Sequence, residues 1–472
     1  MDTVSNAVHY VFLAAAACFV IGLHLMNHPR TARRGNTLSA GAMAVAIGGT
    51  VWLVVHESRI TSTGWLVLVS GGLVGAALGL WAARGVKMTD MPQLVSIFNA
   101  VGGGAAAVIA VNDLLQADHP SALGARVSLP GALSIVIGAV TFSGSLVAAG
   151  KLQGLVSGSP VVFPGARLLN VLLPASFAVG TVWLVLAPDS SMALFGLVVV
   201  ALLFGVTMVL PIGGADMPVV IALLNAFTGS AVAMAGFVLN ETALIIAGML
   251  VSSSGGILTK LMADAMNRSI MNIVIGGFGT GDSAPTAVGA DGAPAQVRAI
   301  SVDDVAIQLA YARKVVFVPG YGLAAAQAQH ELGDLAKLLT EHGVDVSYAV
   351  HPVAGRMPGH MNVLLAEANV PYTQLKEMDD VNPEFPQADV ALVIGANDVT
   401  NPIARRPGNA ISGMPILDVD KAKSIVVIKR SMGHGYAGVD NELYTDPKTG
   451  MFFTDAKKGL TELKAAVGEF VG

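Results

Sequence analysis

The feature that most constrains this fold is a succession of long apolar segments within residues 1–265. A helix needs roughly 20 apolar residues to cross the hydrocarbon core of a bilayer, and we count about nine segments of that length. Only 12% of the residues are charged, which is about half the fraction usual in soluble domains. The segments centre on Ala15, Ala46, Leu73, Ala105, Val140, Ala178, Val200, Met234 and Gly248. Residues 1–265 are therefore predicted to form a bundle of about nine transmembrane helices.

The distribution of lysine and arginine between the predicted loops indicates how the bundle crosses the membrane. Alternate loops contain Arg30, Arg33, Arg34, Arg84, Lys87, Lys151 and Arg167. The opposite loops contain only Arg59 and Arg126. Because cytoplasmic loops are enriched in these residues, the first set is predicted to be cytoplasmic and the N-terminus to lie outside. An odd number of crossings then places the rest of the chain in the cytoplasm.

A change of composition marks the start of a second domain. Residues 266–298 are rich in glycine, alanine and proline and are predicted to form a flexible linker. Residues 299–472 have the charge density and patterning of a soluble domain. The small net charge of -5 and the lack of a basic block argue against nucleic acid as a partner.

Within this second domain, the stretch from Val315 to Gln329 reads VVFVPGYGLAAAQAQ. A β-branched run ends at a Pro-Gly pair, and an alanine-rich helical pattern follows at once. This is the strand–turn–helix pattern of a dinucleotide site, with Gly320, Gly322 and Ala325 in the three fingerprint positions. The first glycine allows a tight turn, and the second lets the backbone approach a pyrophosphate. Ala325 is expected to let the helix pack on the strand.

The rest of the domain alternates between strand and helix patterns, which favours a Rossmann-like, doubly wound parallel sheet. After the first strand, further strands are predicted at 344–351, 390–396 and 424–430. Helices are predicted at 324–342, 361–368 and 455–470. Ligands of such sheets bind beyond the carboxyl ends of the strands, so the candidate binding residues are those that follow each strand.

The residues at these strand ends favour NADP over NAD. Asp345 has the spacing expected of the acid that binds a ribose 2′-hydroxyl. It opens its strand, however, rather than ending it. Lys429, Arg430 and Ser431 follow a strand and suit a 2′-phosphate, since charge-assisted hydrogen bonds to phosphate are strong.

Each of these features also has a purely structural interpretation. An isolated Lys-Arg pair is usually a solvated strand end, residues 395–398 are compatible with a simple turn, and Asp455 with a helix N-cap. Their common position at the ligand edge of one sheet favours the nucleotide site.

Three polar residues lie in or beside the predicted membrane helices, where burial of a polar group is costly. Asp216 stands at the start of a segment, Asn225 lies more than two turns further along it, and Asn99 lies within another segment. Helix capping and interhelical hydrogen bonds would explain these residues structurally. A proton or ion path would explain them functionally, and the sequence leaves both interpretations open.

The residue content excludes several kinds of chemistry. There is no nucleophile elbow, zinc-ligand spacing or Walker lysine, and the single cysteine, Cys18, excludes an internal disulfide and a cysteine-based metal cluster. No metal site is predicted. Three functions remain open: redox chemistry with a partner protein coupled to proton movement, a transporter or channel with a nucleotide-sensing domain, and a membrane-anchored NADP-dependent reductase.

Several long motifs are distributed over both domains. They are Gly-Gly-Ala-Asp-Met-Pro-Val-Val at 213–220, Ala-Met-Asn-Arg-Ser at 265–269, Pro-Gly-Tyr-Gly at 319–322, HPVAGRMPGHMNVLLAE at 351–367, Gly-Ala-Asn-Asp at 395–398, Lys-Arg-Ser-Met at 429–432 and Gly-Tyr-Ala-Gly-Val at 435–439. With these motifs the chain resembles the β-subunit family of proton-translocating NAD(P) transhydrogenases over nearly its whole length. The resemblance implies a domain that binds NADP(H) in an orientation reversed relative to ordinary dinucleotide folds. It also implies direct hydride transfer with NAD(H) on an α subunit, and no residue acting as a catalytic acid or base.

Carried over position by position, the resemblance implies a set of NADP(H)-binding residues that extends the fingerprint. The fingerprint residues are Gly320, Gly322 and Ala325, and the resemblance adds Tyr321 between the two glycines. The others are Val353, Ala354, Gly355, Arg356, Met357, Pro358, Gly395, Ala396, Asn397, Asp398, Val399, Gly413, Met414, Lys429, Arg430, Ser431, Met432, Gly433, His434, Gly435, Tyr436, Asp455 and Ala456. In this set Arg356 is expected near the pyrophosphate, the run 429–431 holds the 2′-phosphate, and residues 432–436 form a lid.

The resemblance also implies a proton-coupling region. It places Asp216, Asn225, Asn99 and Ser145 in the membrane part, and it links Asp398 to the coupling of proton state with NADP(H) affinity. Many relatives carry a titratable histidine where this chain has Asn99, so the relay group is expected elsewhere, either on the α subunit or in a water chain. The implied assembly is a dimer of αβ units in a bacterial inner membrane, where the α subunit adds further transmembrane helices.

Overall fold

The structure is a computed structural model that divides into two compact units. It describes residues 3–26, 29–56, 60–116, 125–157, 161, 165–213, 216–266, 270, 297–355, 359–409, 411–433, 435 and 437–471. Residues 1–86, 93–211 and 220–258 form the first unit, and residues 87–92, 212–219 and 259–472 form the second. Most of the predicted linker, residues 271–296, lies outside the described residues, so the predicted domain boundaries stay predictions.

Long helices account for nearly all of the described chain before residue 267. They are α1 Thr3–Met26, α2 Pro29–His56, α3 Ser62–Gly85, α4 Met91–Gln116, α5 Ala125–Leu152, α6 Ala166–Leu186, α7 Ser191–Val209, α8 Met217–Leu239 and α9 Thr242–Ala265. Each contains one of the predicted segment centres. Within the described residues, eight are long and apolar enough to span a membrane, and α6 has a shorter apolar stretch, Leu172–Leu186. The predicted membrane-type helical domain is confirmed.

Small residues bring these helices into backbone contact. A Cβ added to Gly138 of α5 would lie 2.4 Å from the carbonyl oxygen of Gly103 in α4. Likewise, a Cβ added to Gly229 of α8 would lie 2.4 Å from the backbone nitrogen of Ser252 in α9. No other residue fits at such positions, and close approach of this kind stabilises helix pairs in lipid through dispersion contacts.

The chain from Val302 onward forms a soluble-type domain around one sheet. Its elements are α10 Val302–Ala310, β1 Lys314–Pro319, α11 Tyr321–Ala326, α12 Gln329–Glu341, β2 Asp345–Val350, α13 His360–Glu367, β3 Leu375–Glu377, α14 Met378–Val381, β4 Val390–Ile394, β5 Ser424–Lys429, β6 Thr449–Phe453 and α15 Ala456–Val471. The strand order is β3-β2-β1-β4-β5-β6, and every pairing is parallel. The predicted Rossmann-like parallel sheet is confirmed.

Alternate residues of each central strand enter different cores on the two faces of the sheet. Val315 and Phe317 belong to a buried cluster that includes the faces of α12 and α15. Val316 and Val318 belong to a second cluster on the other face, with Phe385 among its largest members. Burial on both faces explains why the strands read as continuous apolar runs rather than alternating ones.

One predicted helix is two helices in the structure. The alanine-rich run was expected to continue from 324 to 342, but α11 ends at Ala326 and α12 begins at Gln329. Gln327 lies in the left-handed region with φ 51°. The break lets Leu323 of α11 and Leu332 of α12 enter the same core cluster. Tertiary packing therefore overrides the helix propensity of the run.

Candidate functional site

The centre of the sheet contains the point at which the strand order reverses. From β1 the chain proceeds outward through β2 and β3, and it then returns to β4 on the other side of β1. The turns after β1 and β4 therefore meet at the carboxyl edge. Gly320 donates its backbone N–H to the Ile394 carbonyl at 2.9 Å, and Gly322 donates to the Gly395 carbonyl at 2.9 Å. Sheets of this type bind their ligands at such a crevice.

The two turns touch through glycine backbones. Gly395 has φ +67°, and a Cβ added to it would lie 2.3 Å from the Cα of Gly322. A Cβ added to Gly320 would lie 2.4 Å from the Cα of Ala396. The predicted need for glycine at 320 and 322 thus has a structural basis in this contact. The approach of Gly322 to a pyrophosphate stays a prediction.

The prediction that Ala325 lets the helix pack on the strand is wrong. Ala325 is exposed, whereas its neighbour Ala324 is only 1% exposed and Leu323 is fully buried. Because α11 begins at Tyr321 directly after the turn, its inward face passes through residues 323 and 324 rather than 325. Close contact between helix and sheet therefore depends on Ala324.

The second strand is followed by a buried, neutral histidine. Val353 donates its backbone N–H to Nδ1 of His351 at 3.2 Å, so Nδ1 is the unprotonated ring nitrogen. Nε2 therefore carries the proton and donates to the Pro415 carbonyl at 2.8 Å. Burial lowers the pKa of His351 to about 4, although the hydrogen bond to Pro415 opposes this shift. His351 thus joins the loop after β2 to the loop that contains Gly413, without contributing a charge at neutral pH.

The loop after His351 contains part of the segment 353–358 that is predicted to line the nucleotide. Ala354 is buried and donates its N–H to the His351 carbonyl at 3.0 Å. Gly355 has φ +105° and packs against the ring of His360. Arg356, Met357 and Pro358 lie outside the described residues, so their predicted roles stay predictions.

At the end of β5, the predicted phosphate-binding residues differ in exposure. The Lys429 ammonium donates to the Gly433 carbonyl at 2.5 Å and lies 4.5 Å from the centre of the Tyr444 ring. Burial lowers the pKa of Lys429, and the negative charges of Asp398 and Asp440 oppose this shift. Arg430 and Ser431 are exposed, as are Met432 and Gly433 at the start of the predicted lid. A cationic edge therefore continues from a half-buried lysine to an exposed arginine.

Asp398 joins the turn after β4 to the chain that follows the predicted lid. It begins a short 3-10 turn, Asp398–Thr400, and its Oδ2 accepts the backbone N–H of Ala437 at 3.0 Å. A Cβ added to Gly435 would lie 2.2 Å from Oδ1 of Asp398, so the carboxylate packs against the backbone at Gly435, within the predicted lid. His434 and Tyr436 of the lid lie outside the described residues. The structure thus brings together Asp398, Lys429 and Gly435, all of which were predicted as site residues.

Two further residues belong to this cluster and were not predicted. Asn441 donates its side-chain amide to the backbone carbonyl of Asn397 at 3.0 Å. The buried Tyr444 hydroxyl donates to the Ala396 carbonyl at 3.2 Å, and burial raises its pKa. The one local signal is that Asn441 caps the short 3-10 turn Glu442–Thr445. Their position depends on the loop between β5 and β6 folding back over the β4 turn.

The remaining predicted nucleotide-site residues have structural partners. Val399 accepts the N–H of Leu417 at 2.9 Å, and Gly413, with φ +76°, donates to the Ala404 carbonyl at 2.7 Å. Met414 is buried in a small cluster with Ile411 and Val439. These contacts position the loop between β4 and β5.

The start of α15 contains the last two predicted residues. Asp455 accepts the backbone N–H of Lys457 at 3.0 Å, which is the geometry of a helix N-cap, and Ala456 is buried. The capping interpretation of Asp455 is confirmed. A cofactor contact by Asp455 or Ala456 stays a prediction.

In the helical unit, Asn99 and Ser145 lie in a buried polar region. Asn99 donates its side-chain amide to the Ile221 carbonyl at 3.2 Å. Its backbone carbonyl accepts a hydrogen bond from the Thr228 hydroxyl at 3.2 Å. Ser96 donates to the backbone carbonyl of Ser145 at 2.8 Å. The Ser145 hydroxyl is itself buried and has no hydrogen-bond partner among the described residues. The interhelical hydrogen bonds expected for Asn99 are confirmed.

The other two predicted coupling residues belong to the start and middle of α8. Asp216 immediately precedes the helix, and its backbone carbonyl accepts the N–H of Val219 at 3.1 Å. Asn225 lies within the helix and is partly exposed. A role for either residue in proton movement stays a prediction.

Comparison with known proteins agrees with this fold and site. The family model described as NAD(P) transhydrogenase beta subunit matches residues 8–466. The NAD(P) transhydrogenase subunit beta of Rhodospirillum rubrum is 46% identical over 462 residues, which are 97% of this chain and 98% of that protein. A second sequence of that subunit, from R. rubrum strain ATCC 11170, matches with the same identity and coverage. This chain therefore belongs to the NAD(P) transhydrogenase beta subunit family, and it is part of an enzyme.

Proposed function

We propose that this beta subunit binds NADP(H) at the carboxyl edge of its sheet and couples hydride transfer to proton translocation through its helical bundle. The observation that carries the proposal is the contrast between two strand ends. Lys429 ends β5 and is followed by Arg430 and Ser431, whereas the neutral His351 follows β2, where an NAD-binding sheet would present an acid. This contrast favours a cofactor with a 2′-phosphate.

The chemistry of the β5 end fits a phosphate group. A guanidinium presents two parallel donors to phosphate oxygens, and an ammonium adds a point charge. Arg430 and the Ser431 hydroxyl are exposed and available for such contacts. The Lys429 ammonium, whose pKa is lowered by burial, gains an opposite charge when a phosphate binds beside it. We therefore assign the 2′-phosphate to these three residues.

NADP(H), when bound, would supply the redox chemistry by direct hydride exchange with NAD(H) on an alpha subunit. The residues of this chain bind and orient rather than act as acid or base. The glycine contact between the β1 and β4 turns fixes the crevice, and His351 holds the two flanking loops in register. Precise positioning of two reactants accounts for a large part of the rate of such transfers.

Asp398 and Lys429 are proposed to control the lid, residues 432–436. In the present arrangement Asp398 accepts a hydrogen bond from Ala437, and Lys429 donates to Gly433. A phosphate that attracts Lys429 competes with the Gly433 carbonyl, so ligand binding and lid position are linked. A change of charge near Asp398 would bias the same equilibrium, which is what coupling to protonation requires.

For the membrane domain, residues 1–265, we propose a proton path that involves Asp216, Asn225, Asn99 and Ser145. The buried Ser145 hydroxyl and the hydrogen-bonded Asn99 support a polar route between helices. Asn99 has no titratable proton, so the charged relay group belongs to Asp216, to water or to the alpha subunit. The excess of lysine and arginine in alternate loops supports a cytoplasmic NADP(H) domain, residues 299–472, that follows a linker at 266–298.

A binding experiment tests the 2′-phosphate assignment. The full chain, purified with its alpha partner, is titrated with NADPH while NADH occupancy of the partner is measured in parallel. We expect Lys429→Ala with Arg430→Ala to weaken NADPH binding by at least about 100-fold, since each lost charge-assisted hydrogen bond costs roughly 1.5–3 kcal/mol and about 1.4 kcal/mol is tenfold in affinity. NADH affinity should not change.

The matched control removes two exposed lysines from helices of the same domain. Lys337→Ala with Lys464→Ala lowers the positive charge equally, and both side chains are about half exposed or more. If the control weakens NADPH as much as the double variant at 429 and 430, or if NADPH and NADH weaken equally, the assignment is wrong.

A further inference from the structure

A groove lies between α1 and α2, well away in sequence from the nucleotide-binding residues. Its volume is about 920 Å³, and small or apolar side chains such as Val11, Ala15, Cys18 and Val45 line its length. Its lining has two charged residues, Arg33 and Arg34, which lie side by side in the first two turns of α2. The groove is therefore apolar along most of its length and cationic at one end.

The two helices leave this groove open although they touch elsewhere. A Cβ added to Gly35 would lie 2.5 Å from the Gly22 carbonyl, so the helix backbones meet directly at that level. A Cβ added to Gly41, which lines the groove, would have nothing within 4 Å. The helix pair is thus in direct backbone contact at the level of Gly35 and leaves open space beside Gly41.

The charge at the end of the groove is unsatisfied within the described chain. No described residue forms an ion pair or a side-chain hydrogen bond with Arg33 or Arg34, and the groove lining contains no aspartate or glutamate. The N-terminal end of α2 adds a further partial positive charge. Two guanidiniums at one end of an apolar groove complement a molecule with a phosphate head and a hydrocarbon tail.

We propose that this groove binds one anionic phospholipid. Its phosphate lies against Arg33 and Arg34, and an acyl chain follows the apolar wall past Cys18 towards Val11 and Val45. An acyl chain adapts to a shallow apolar surface, and basic pockets between membrane helices are suited to anionic headgroups. This inference depends on the membrane position of the helices and is independent of the proposed nucleotide site.

Native mass spectrometry of the full chain with its alpha partner tests the proposal, with phosphatidylglycerol and phosphatidylcholine titrated into the detergent-solubilised complex. We expect one saturable phosphatidylglycerol per chain. Arg33→Gln with Arg34→Gln should weaken it about 30-fold, a factor of about five for each cation near an anionic lipid. Gly41→Phe should also abolish saturable binding, because it fills the groove from a position with free space.

Matched variants separate this site from general effects. Arg84→Gln with Lys87→Gln removes two exposed charges outside the groove, and Gly48→Phe adds the same bulk to α2 at another open position. Both should bind phosphatidylglycerol as the wild type does, and millimolar inorganic phosphate should not displace it. Equal binding of phosphatidylcholine, displacement by phosphate, or equal loss in the control variants would overturn the proposal. So would lipid binding by the isolated chain that disappears in the complex, since a partner helix would then fill the groove.

Discussion

Replacing Gly395 with alanine perturbs the backbone contact that joins the β1 and β4 turns. Gly395 has φ +67°, and the new Cβ would lie 2.3 Å from the Cα of Gly322. The neighbouring atom belongs to the backbone, so it cannot move aside by a change of rotamer. The β1 and β4 turns must separate, and with them the crevice that we assign to NADP(H).

The expected decrease in the free energy of unfolding has two parts. An alanine in the left-handed region costs about 1 kcal/mol relative to glycine. Overpacking of a rigid contact adds about 1–3 kcal/mol, so the total is about 2–4 kcal/mol. For a domain of this size, each kcal/mol lowers the midpoint of thermal unfolding by about 2–4 °C.

Comparison with Gly343→Ala isolates the cost of the clash. Gly343 has φ +84° but has nothing within 4 Å of an added Cβ, so it carries the conformational cost without the clash. Thermal unfolding and NADPH titration of the complex should show about 1 kcal/mol of destabilisation and unchanged NADPH affinity for Gly343→Ala. Gly395→Ala should be less stable and should bind NADPH at least about tenfold more weakly. Equal behaviour of the two variants would refute the assigned role of the glycine contact.

Three further predictions concern charged and titratable groups. Asp389 binds Lys423 and the backbone N–H of Arg313, and these contacts lower its pKa to about 2. Asp389→Asn should lower the free energy of unfolding by roughly 1–2 kcal/mol at pH 7. Thermal unfolding should show that the difference between variant and wild type shrinks as the pH falls from about 4 towards 2. Burial lowers the pKa of His351 to about 4, so the free energy of unfolding of the domain should fall by up to roughly 3 kcal/mol as the pH falls from 6.5 to 4. If the free energy of unfolding of His351→Gln depends on pH in the same way, another group is responsible. Asp398→Asn keeps an acceptor for the N–H of Ala437 but removes the charge near Lys429. The rate of NADP(H) release, measured by stopped flow, and the coupling to proton movement should therefore both change. Unchanged values would count against the proposed lid control.

Much of the fold could be predicted because its signals are local. Eight of the nine long helices in the described part of the chain contain an apolar run of the required length, and the alternation of strands and helices favours a parallel sheet. Two strands gave no such signal, since β3 has three residues and β6 contains a glycine. Helix α10 did carry a signal, a capping box formed by Ser301 and Asp304, which the prediction overlooked.

The predicted site depends partly on local pattern and partly on contacts between distant segments. Gly320 and Gly322 were recognisable because a fingerprint turn restricts its own backbone. Tyr444 and Ala396 are far apart in sequence, and their hydrogen bond exists only because the chain after β5 folds back. The inward face of α11 was also misjudged by one residue, since the starting point of a helix fixes which residues face the core.

The exchange of hydride and protons in proteoliposomes tests the central claim most directly. The chain is reconstituted with its alpha partner, and NADPH-dependent reduction of an NAD analogue is followed together with a pH-sensitive dye inside the vesicles. The account predicts that reduction and a pH change occur together, and that Lys429→Ala with Arg430→Ala raises the NADPH concentration needed for both. Reduction without a pH change, or turnover that does not depend on the 2′-phosphate of NADPH, would contradict it.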